Sequence, residues 1–215
     1  MNKLTNQELY DYIMLKLDKH ATGYFTEDWV SQYFNESYIE WVNLAAKEFE
    51  KSSKRRADLI NLVKRASVPS TKIVSYSAIT PAPYLILRVE ADYNFVCKGI
   101  TTARRRKVKP IPIDAAKYGD DPFNVSTEYF PCYEEFSGGT GKEIHILTKT
   151  TPLVVEVMYI KSPDSVDMAG SPNSLTEIDY PQQIEVVDIV VRKLLQTLES
   201  PELTAQAQLE IPKNE

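Results

Sequence analysis

Apolar and polar residues recur with two different periods along this chain, and the period changes near Pro69. Before Pro69 the apolar residues recur every three or four positions, which predicts α-helices. From there to Lys161 many of them alternate with polar residues, which predicts β-strands. After Tyr180 the helical period returns. The pattern therefore predicts an α+β protein with helices at both ends of the chain and a β-rich middle.

The first part of the chain, residues 1–66, is predicted to be a helical subdomain. Thr5 and Glu8 have the spacing of a capping box, in which their side chains satisfy free backbone N–H groups at a helix start. A second helical segment follows Thr26, Asn35 is the predicted cap of a third, and a short fourth helix spans 55–65. The apolar faces of these helices are predicted to contain Tyr10, Ile13, Met14, Leu17, Trp29, Val30, Tyr33, Tyr38, Val42, Ala45, Phe49, Leu59, Leu62 and Val63.

Residues 67–161 are predicted to form an antiparallel β-sheet or a β-sandwich. The clearest strand spans 85–96, where the alternating apolar residues are Leu85, Leu87, Val89, Ala91, Tyr93 and Phe95. Two further strands, 128–136 and 143–147, flank the sequence SGGTGK, which is typical of a hairpin turn. Pro110 and Pro112 restrict the segment that contains them to an edge strand or an extended arm.

The last third of the chain is predicted to contain one long amphipathic helix over residues 177–200. Pro181 suits the first helical position, where its missing N–H is not needed. We expect the helix to pack back on the N-terminal helices through a stripe made of Ile184, Val187, Val191, Leu194, Leu195 and Leu198. Residues 162–176, rich in Pro, Gly, Ser and Asn, are predicted to be a loop or contact arm, and 201–215 a tail arm that a partner orders.

Composition narrows the range of functions. The chain has 215 residues, lacks the run of roughly 20 apolar residues that a membrane span needs, and has no apolar segment typical of a signal peptide near its start. Cys97 and Cys132 are interpreted as buried small hydrophobes in a reducing compartment. With only His20 and His145 beside them, no Cys/His metal site is predicted, and neither is a cofactor.

Charge is distributed unevenly, although the net charge is only −5. The segment 98–109 contains no acidic residue, and its basic residues are Lys98, Arg104, Arg105, Arg106, Lys107 and Lys109. Acidic residues predominate after Thr150. The basic segment is interpreted as a solvated loop, as a contact to DNA phosphates, or as a contact to an acidic patch of a neighbouring subunit.

Candidate catalytic motifs do not combine into a recognisable enzyme site. The sequence SGGTGK lacks the first glycine and the Ser or Thr of a phosphate-binding loop, and a strand follows it. The paired carboxylates Asp120 with Asp121 and Glu134 with Glu135, and the histidine His145, have no nucleophile in a motif context. We therefore expect a non-enzymatic, structural protein, while a site built from Asp120, Asp121 and His145 stays open as an alternative.

The C-terminal part of the chain resembles the head-to-tail connector ring proteins of tailed bacteriophages, and is most similar to the collar or adaptor rings of the crAss-like podoviruses. The resemblance lies in the strand VVEVMYIKSP (154–163), with Tyr159, Lys161 and Pro163 at its end, then a loop containing Asp167, and EIDYP (177–181) leading into a long helix. The helix start departs from the tighter form of the family. The rest of the chain is similar in layout only.

The resemblance implies a structural virion protein that is made in the host bacterial cytoplasm and assembles into a homo-oligomeric ring, typically a dodecamer. Such a ring contacts the portal protein, or adjacent collar and tail proteins, and double-stranded DNA passes through its channel without sequence-specific binding; no membrane is involved. The expected interface residues are the basic set between Lys98 and Lys109 together with Asp164 and Asp167. The alternative from the sequence is a nucleic-acid-binding module that uses the basic arm 98–109.

Overall fold

The computed structural model describes residues 3–17, 25–111, 126–138, 141–169, 175 and 177–198. It confirms the α+β class, with N-terminal helices, a mixed sheet, and a C-terminal helix that packs back on the helices. The chain forms two compact units: a helical unit made of Met1–Asn61 and Pro163–Glu215, and a sheet unit made of Leu62–Ser162. The helical unit is therefore assembled from two separate parts of the sequence.

The helices of the helical unit are α1 (Asn6–Lys16), α2 (Glu27–Lys47), α3 (Ser53–Asp58) and α4 (Tyr180–Leu198). The predicted capping box begins α1: Glu8 N donates to Thr5 Oγ1 at 3.2 Å, and Thr5 N donates to Glu8 Oε2 at 2.8 Å. α4 contacts both α1 and α2, as predicted. None of the helices in the described part of the chain combines the length and apolar character that crossing a membrane requires.

Two of the predicted helix boundaries are wrong. Asn35 does not cap a third helix, because α2 continues through it and its side chain binds a distant backbone segment instead. The predicted helix 55–65 ends at Asp58, and Val63 is the first residue of a strand. That strand pairs with the strand that ends at Lys161, so a long-range backbone pairing overrides the helical spacing of Leu59 and Leu62. The β region therefore begins inside the segment 1–66.

The buried face of α4 differs from the predicted stripe. Of the predicted residues, Val187 and Leu194 are fully buried, whereas Leu195 is exposed. The buried line also includes residues outside the prediction, namely Gln183, Val186 and Val190. The apolar residues of α4 form two adjacent stripes along the helix, so the sequence alone did not determine which stripe faces the core.

The sheet unit contains one seven-stranded sheet with the order β1-β7-β3-β4-β5-β6-β2. Its strands are β1 (Val63–Pro69), β2 (Ile73–Ser75), β3 (Pro83–Cys97), β4 (Ile100–Pro110), β5 (Cys132–Gly138), β6 (Gly141–Ile146) and β7 (Val154–Lys161). Neighbouring strands pair antiparallel, except that β4 and β5 run parallel where they meet. The sheet is therefore mixed rather than wholly antiparallel.

The predicted alternation in β3 holds for its second half only. Val89, Ala91 and Tyr93 are buried in the core of the sheet unit, as expected. Before them the pairing with β7 shifts by one residue between Ile86 and Arg88, and the strand changes phase at this bulge. Ile86 consequently packs against the core, and Leu85 is exposed. The predicted hairpin of β5 and β6 is confirmed, although residues 139 and 140 of its turn lie outside the described residues.

Candidate interaction surface

The basic segment forms one arm of a β-hairpin, rather than an isolated arm. β3 and β4 are joined by a two-residue turn at Lys98 and Gly99, and Cys97 and Ile100 pair across it. Both turn residues have positive φ, 51° and 77°, as a type I′ turn requires. Glycine adopts this conformation without strain, whereas lysine does so at some cost.

The tip of this hairpin extends past the neighbouring strand. β7 pairs with β3 only as far as Asp92, so that within the described residues 93–97 pair with β4 alone. Val96 and Ile100 at the tip are 71% and 68% exposed. Cys97 is exposed as well, so the interpretation of this cysteine as buried is wrong. The hairpin therefore presents apolar side chains to solvent on a two-stranded ribbon, which has little stability by itself.

The basic residues of β4 lie on two opposite faces of the hairpin, because successive side chains of a strand alternate. Arg105 and Lys107 pair in register with Asp92 and Glu90 of β3. Arg104 and Arg106 pair in register with Tyr93 and Ala91 on the face that carries the core residues. The predicted basic patch is therefore divided, and each half has different neighbours.

Arg105 is held by acidic residues of its own sheet. Its Nε donates to Asp92 Oδ1 at 2.9 Å, and its Nη1 donates to Glu156 Oε2 at 2.7 Å. Glu90 and Glu156 oppose each other on β3 and β7, an arrangement of like charges that is unfavourable unless a cation neutralises it. The hydrogen bond to Asp92 and the nearby Glu156 raise the pKa of Arg105 above its ordinary value. An acidic partner for this arginine is thus present within the chain.

Arg106 packs against an aromatic pair on the other face. Its guanidinium carbon lies 5.4 Å from the centre of the Phe95 ring, within the range of a cation–π contact. The ring centres of Phe95 and Tyr129 are 4.9 Å apart. Lys98, Arg104 and Lys109 are exposed, and the backbone N–H of Lys109 donates to Pro131 O at 2.9 Å. Arg106 is therefore held against an aromatic pair, whereas Lys98, Arg104 and Lys109 face solvent.

The other predicted interface residues, Asp164 and Asp167, lie in a segment that packs within the helical unit. Their side chains are exposed, but Val166 and Met168 beside them are buried. Asp167 Oδ1 accepts a hydrogen bond from Ala169 N at 3.0 Å. The described residues 163–169 therefore help to complete the core of the helical unit, which a freely projecting contact arm would not do. The remainder of the predicted arm, 170–174 and 176, lies outside the described residues.

A buried carboxylate anchors the two ends of this segment. Glu177 Oε2 accepts hydrogen bonds from Tyr38 Oη at 3.0 Å and from Asp164 N at 2.9 Å. Burial is the main reason why the pKa of Tyr38 lies well above its ordinary value, and the neighbouring Glu177 raises it further. The Tyr38 hydroxyl therefore remains a hydrogen-bond donor. The arrangement ties α2 to the segment that precedes α4.

One charged cluster of the helical unit, centred on Glu185, was not singled out from the sequence. Glu185 on α4 accepts hydrogen bonds from Trp41 Nε1 at 2.8 Å, Arg55 Nη1 at 2.7 Å and Lys54 Nζ at 3.1 Å. Burial by itself raises the pKa of Glu185, but these donors outweigh it and bring the pKa to about 2. The donors come from α2 and α3, so sequence spacing carried no signal for this cluster.

Of the side chains that were considered for catalysis, Glu135 and His145 make contacts within the sheet unit. Asp120 and Asp121 lie outside the described residues. His145 Nε2 is 2.9 Å from Glu143 Oε2, and Glu135 Oε2 accepts from Tyr76 Oη at 2.9 Å. Among the residues that the structure describes, no group of His, Cys, Asp and Glu is arranged to hold a metal ion.

Comparison with known proteins does not add a family to this description. No protein-family model matches the sequence, and no similar sequence is found among curated proteins.

Proposed function

We propose that the protein is a structural component of a tailed-phage virion, in which copies assemble into a ring of the head-to-tail connector. In this role the ring joins the portal, or a neighbouring ring, to the tail and surrounds the DNA channel. The observation that carries the proposal is the β3–β4 hairpin, whose tip extends beyond β7 and exposes Val96 and Ile100. Val96 and Ile100 lie on opposite faces of this projecting ribbon, so each face offers an apolar side chain to a neighbouring subunit.

Ring closure also requires two different complementary surfaces on each subunit, because the contact is repeated head to tail around an axis. The hairpin edge, with Arg104 and Lys98 exposed, supplies a basic surface. Acidic residues predominate in the last third of the sequence, which supplies the opposite charge. Such complementarity favours one orientation of neighbouring copies over others.

The alternative, a nucleic-acid-binding module, has weaker support. Arg105, at the centre of the basic run, is engaged by Asp92 and Glu156, so it is less available to phosphates. The net charge of −5 also disfavours nonspecific attraction to DNA. Retention of the purified protein on double-stranded DNA at low salt, with loss at moderate salt, would favour this alternative.

The experiment that tests the ring is a measurement of particle mass by light scattering, with class averages from electron microscopy, on the purified protein alone and mixed with portal protein. We expect closed rings for the wild type and loss of rings for Ile100→Asp. Leu15→Asp on α1 is the matched control, because Leu15 is similarly exposed but lies outside the hairpin. A wild-type protein that remains a monomer both alone and in the presence of portal protein contradicts the proposal.

A further inference from the structure

The seven-stranded sheet ends in two edge strands, β1 and β2. Just before β1, Leu62 O accepts a hydrogen bond from Lys161 N at 3.0 Å. Just after it, Ser70 N donates to Leu153 O at 2.9 Å. Because the backbone groups of a strand alternate in direction, the even-numbered residues of β1 face β7 and the odd-numbered residues face away from the sheet. The outward residues are Val63, Arg65, Ser67 and Pro69.

The edge of β2 is closed by its own chain. Ile146 N donates to Lys72 O at 2.7 Å, so the backbone groups of Ile73 point outward. Ile73 N donates to Thr71 Oγ1 at 3.1 Å, and Thr71 Oγ1 donates to Ile73 O at 2.7 Å. One hydroxyl therefore satisfies both backbone groups that a further strand would bind.

The edge of β1 differs from that of β2. Within the described part of the chain, no hydrogen bond joins another group to the outward N–H or C=O groups of Val63, Arg65 and Ser67. The side chains of Arg65, Ser67 and Pro69 are exposed. Pro69 fits an outward position, because its missing N–H takes no bond from the ladder. An open edge on a strand of seven residues is a template for an additional strand.

The outer face of the sheet, opposite the core, places a cation at this edge. Arg65 lines a shallow depression of that face together with Glu90 and Glu156. Both of these acids are engaged by other arginines. Arg88 Nε lies 3.1 Å from Glu90 Oε1. Arg105 Nη1 lies 2.7 Å from Glu156 Oε2. Arg65 itself makes no ion pair with any residue that the structure describes, so a carboxylate on an added strand would meet a cation here.

The core face of β1 places apolar side chains at the same edge. Ala66 and Val68 are half-buried and pack against the core of the sheet unit. Because β1 has a neighbouring strand on one side only, an apolar residue of an added strand would cover these side chains further and extend the core. Lys64 lies on this face as well, and its alkyl chain can pack against such a residue.

The two faces together specify the strand that fits this edge. Acidic side chains suit the face of Arg65, apolar side chains suit the face of Ala66 and Val68, and the side chains of a strand alternate between faces. A second copy of β1 does not have this pattern, and its Lys64 and Arg65 would meet like charges. We propose that β1 accepts, as an additional strand, an extended segment of a different protein in which acidic and apolar residues alternate. Main-chain hydrogen bonds provide affinity, and the alternating side chains set the register.

This contact goes beyond the proposed ring and does not depend on it, because the ring uses the β3–β4 hairpin and the strand is added at β1. The probe is a soluble labelled peptide in which glutamate alternates with valine and threonine. The matched probe has lysine in place of glutamate. Fluorescence anisotropy measures the affinity of both peptides for the full-length protein. We expect the glutamate peptide to bind about tenfold more tightly than the lysine peptide at low salt, with a smaller difference at high salt.

The outward N–H groups are tested with Ser67→Pro, and Ser67→Thr is the control that keeps the N–H. Proline at this position removes no hydrogen bond to β7, and edge positions tolerate it. Circular dichroism and the thermal midpoint establish that both variants are folded. Ser67→Pro should weaken binding of the glutamate peptide about tenfold, whereas Ser67→Thr should leave it unchanged. Equal affinities of the two variants would overturn the inference.

Arg65→Gln tests the charge without altering the backbone. We expect a lower affinity for the glutamate peptide at low salt, and an affinity equal to that of the wild type at high salt. Arg104→Gln is the control, because Arg104 is exposed on β4, which β7 and β3 separate from β1. An equal loss in both variants would show that the peptide binds basic surfaces in general, and the proposed contact would then be wrong.

Hydrogen exchange locates the added strand. The amides of Val63, Arg65 and Ser67 should exchange rapidly in the protein alone and slowly with the glutamate peptide. Protection in the protein alone would show that this chain supplies the strand from the same or a second copy, which overturns the inference. Ile100→Asp should lose the ring and still bind the peptide. Rings that do not bind the glutamate peptide refute the added strand alone, and a wild-type monomer that binds it at β1 refutes the ring alone.

Discussion

Asn35 lies in the middle of α2, and its side-chain amide binds both backbone groups of Val166. Its Oδ1 accepts from Val166 N at 2.8 Å, and its Nδ2 donates to Val166 O at 2.9 Å. The Asn35 amide thus makes the two hydrogen bonds that a neighbouring β-strand would otherwise make to the backbone of Val166. Asparagine is unfavourable inside a helix, and these two hydrogen bonds explain its presence in α2.

We expect Asn35→Ala to lower the free energy of unfolding by about 1–3 kcal/mol, because the backbone groups of buried Val166 lose their partners. Gln32→Ala is the matched control on the same helix, since within the described part of the chain the Gln32 side chain donates a hydrogen bond only to the exposed Glu36. Urea denaturation of both variants measures the difference. Equal stability of Asn35→Ala and Gln32→Ala would contradict the role assigned to Asn35.

Glu185 makes stability depend on pH in the acidic range. Its pKa falls from the ordinary value of 4.5 to about 2 on folding, so its contribution is complete above 4.5 and is lost as the pH falls towards 2. We expect Glu185→Gln to cost about 1 kcal/mol at pH 7, a figure reduced for its partial exposure. The variant also has a shallower slope of stability between pH 4.5 and 2, measured by denaturation at a series of pH values. The two proteins should converge at the acidic end, and parallel curves would contradict this prediction.

Arg105 and Arg104 should differ in their effect on stability, although they are adjacent in the sequence. Arg105→Gln removes the cation that neutralises the repulsion between Glu90 and Glu156. We therefore expect a lower thermal midpoint for this variant at low salt. The loss should shrink at high salt, where the repulsion is screened. Arg104→Gln is the control and should stay near the wild type. A thermal scan at two salt concentrations measures both variants, and identical midpoints would refute the distinction.

The core of the sheet unit offers a comparison between a buried and an exposed isoleucine on paired strands. Ile144 on β6 is fully buried, whereas Ile73 on β2 is largely exposed. Ile144→Ala should destabilise the protein by about 2–5 kcal/mol through the cavity it leaves. Ile73→Ala should cost much less. Chemical denaturation of the two variants provides the test, and a comparable loss in both would mean that the burial of Ile144 is not what stabilises β6.

The hairpin turn can be stabilised by one substitution. Lys98 has a positive φ of 51°, which asparagine tolerates better than lysine does, and Asn-Gly is the preferred pair for a type I′ turn. Lys98→Asn should raise stability by about 0.5–1 kcal/mol. Lys98→Gln is the control, because it removes the same charge without favouring the turn. A stabilisation by glutamine as large as that by asparagine would attribute the effect to charge alone.

Local signals explain which parts of the fold were predictable. Thr5 and Glu8 interact across three residues, and their pattern was sufficient to predict the start of α1. The alternation of Val89, Ala91 and Tyr93 likewise predicted the inner face of β3. The bulge near Leu87 was not visible, because it results from the register with β7, which is distant in the sequence.

The candidate site was predicted as a cluster of charges, but its geometry was not. Counting basic residues found the segment that contains Arg105, whereas strand alternation and the distant acids Asp92 and Glu156 decide which side chains remain exposed. The sequence Lys98-Gly99 is a weak turn signal compared with Asn-Gly, so the hairpin itself was missed. The function in a connector ring stays a prediction that the proposed experiments test.

The helical unit is made of two separate parts of the sequence, and the residues of the sheet unit come between those two parts along the chain. During synthesis on the ribosome, α1 and α2 emerge long before α4, whose Val187 and Leu194 complete their core. The sheet unit is continuous and can fold as soon as β7 has been synthesised. The helices translated first are therefore among the last to become stable, because their apolar faces stay uncovered until α4 has been synthesised.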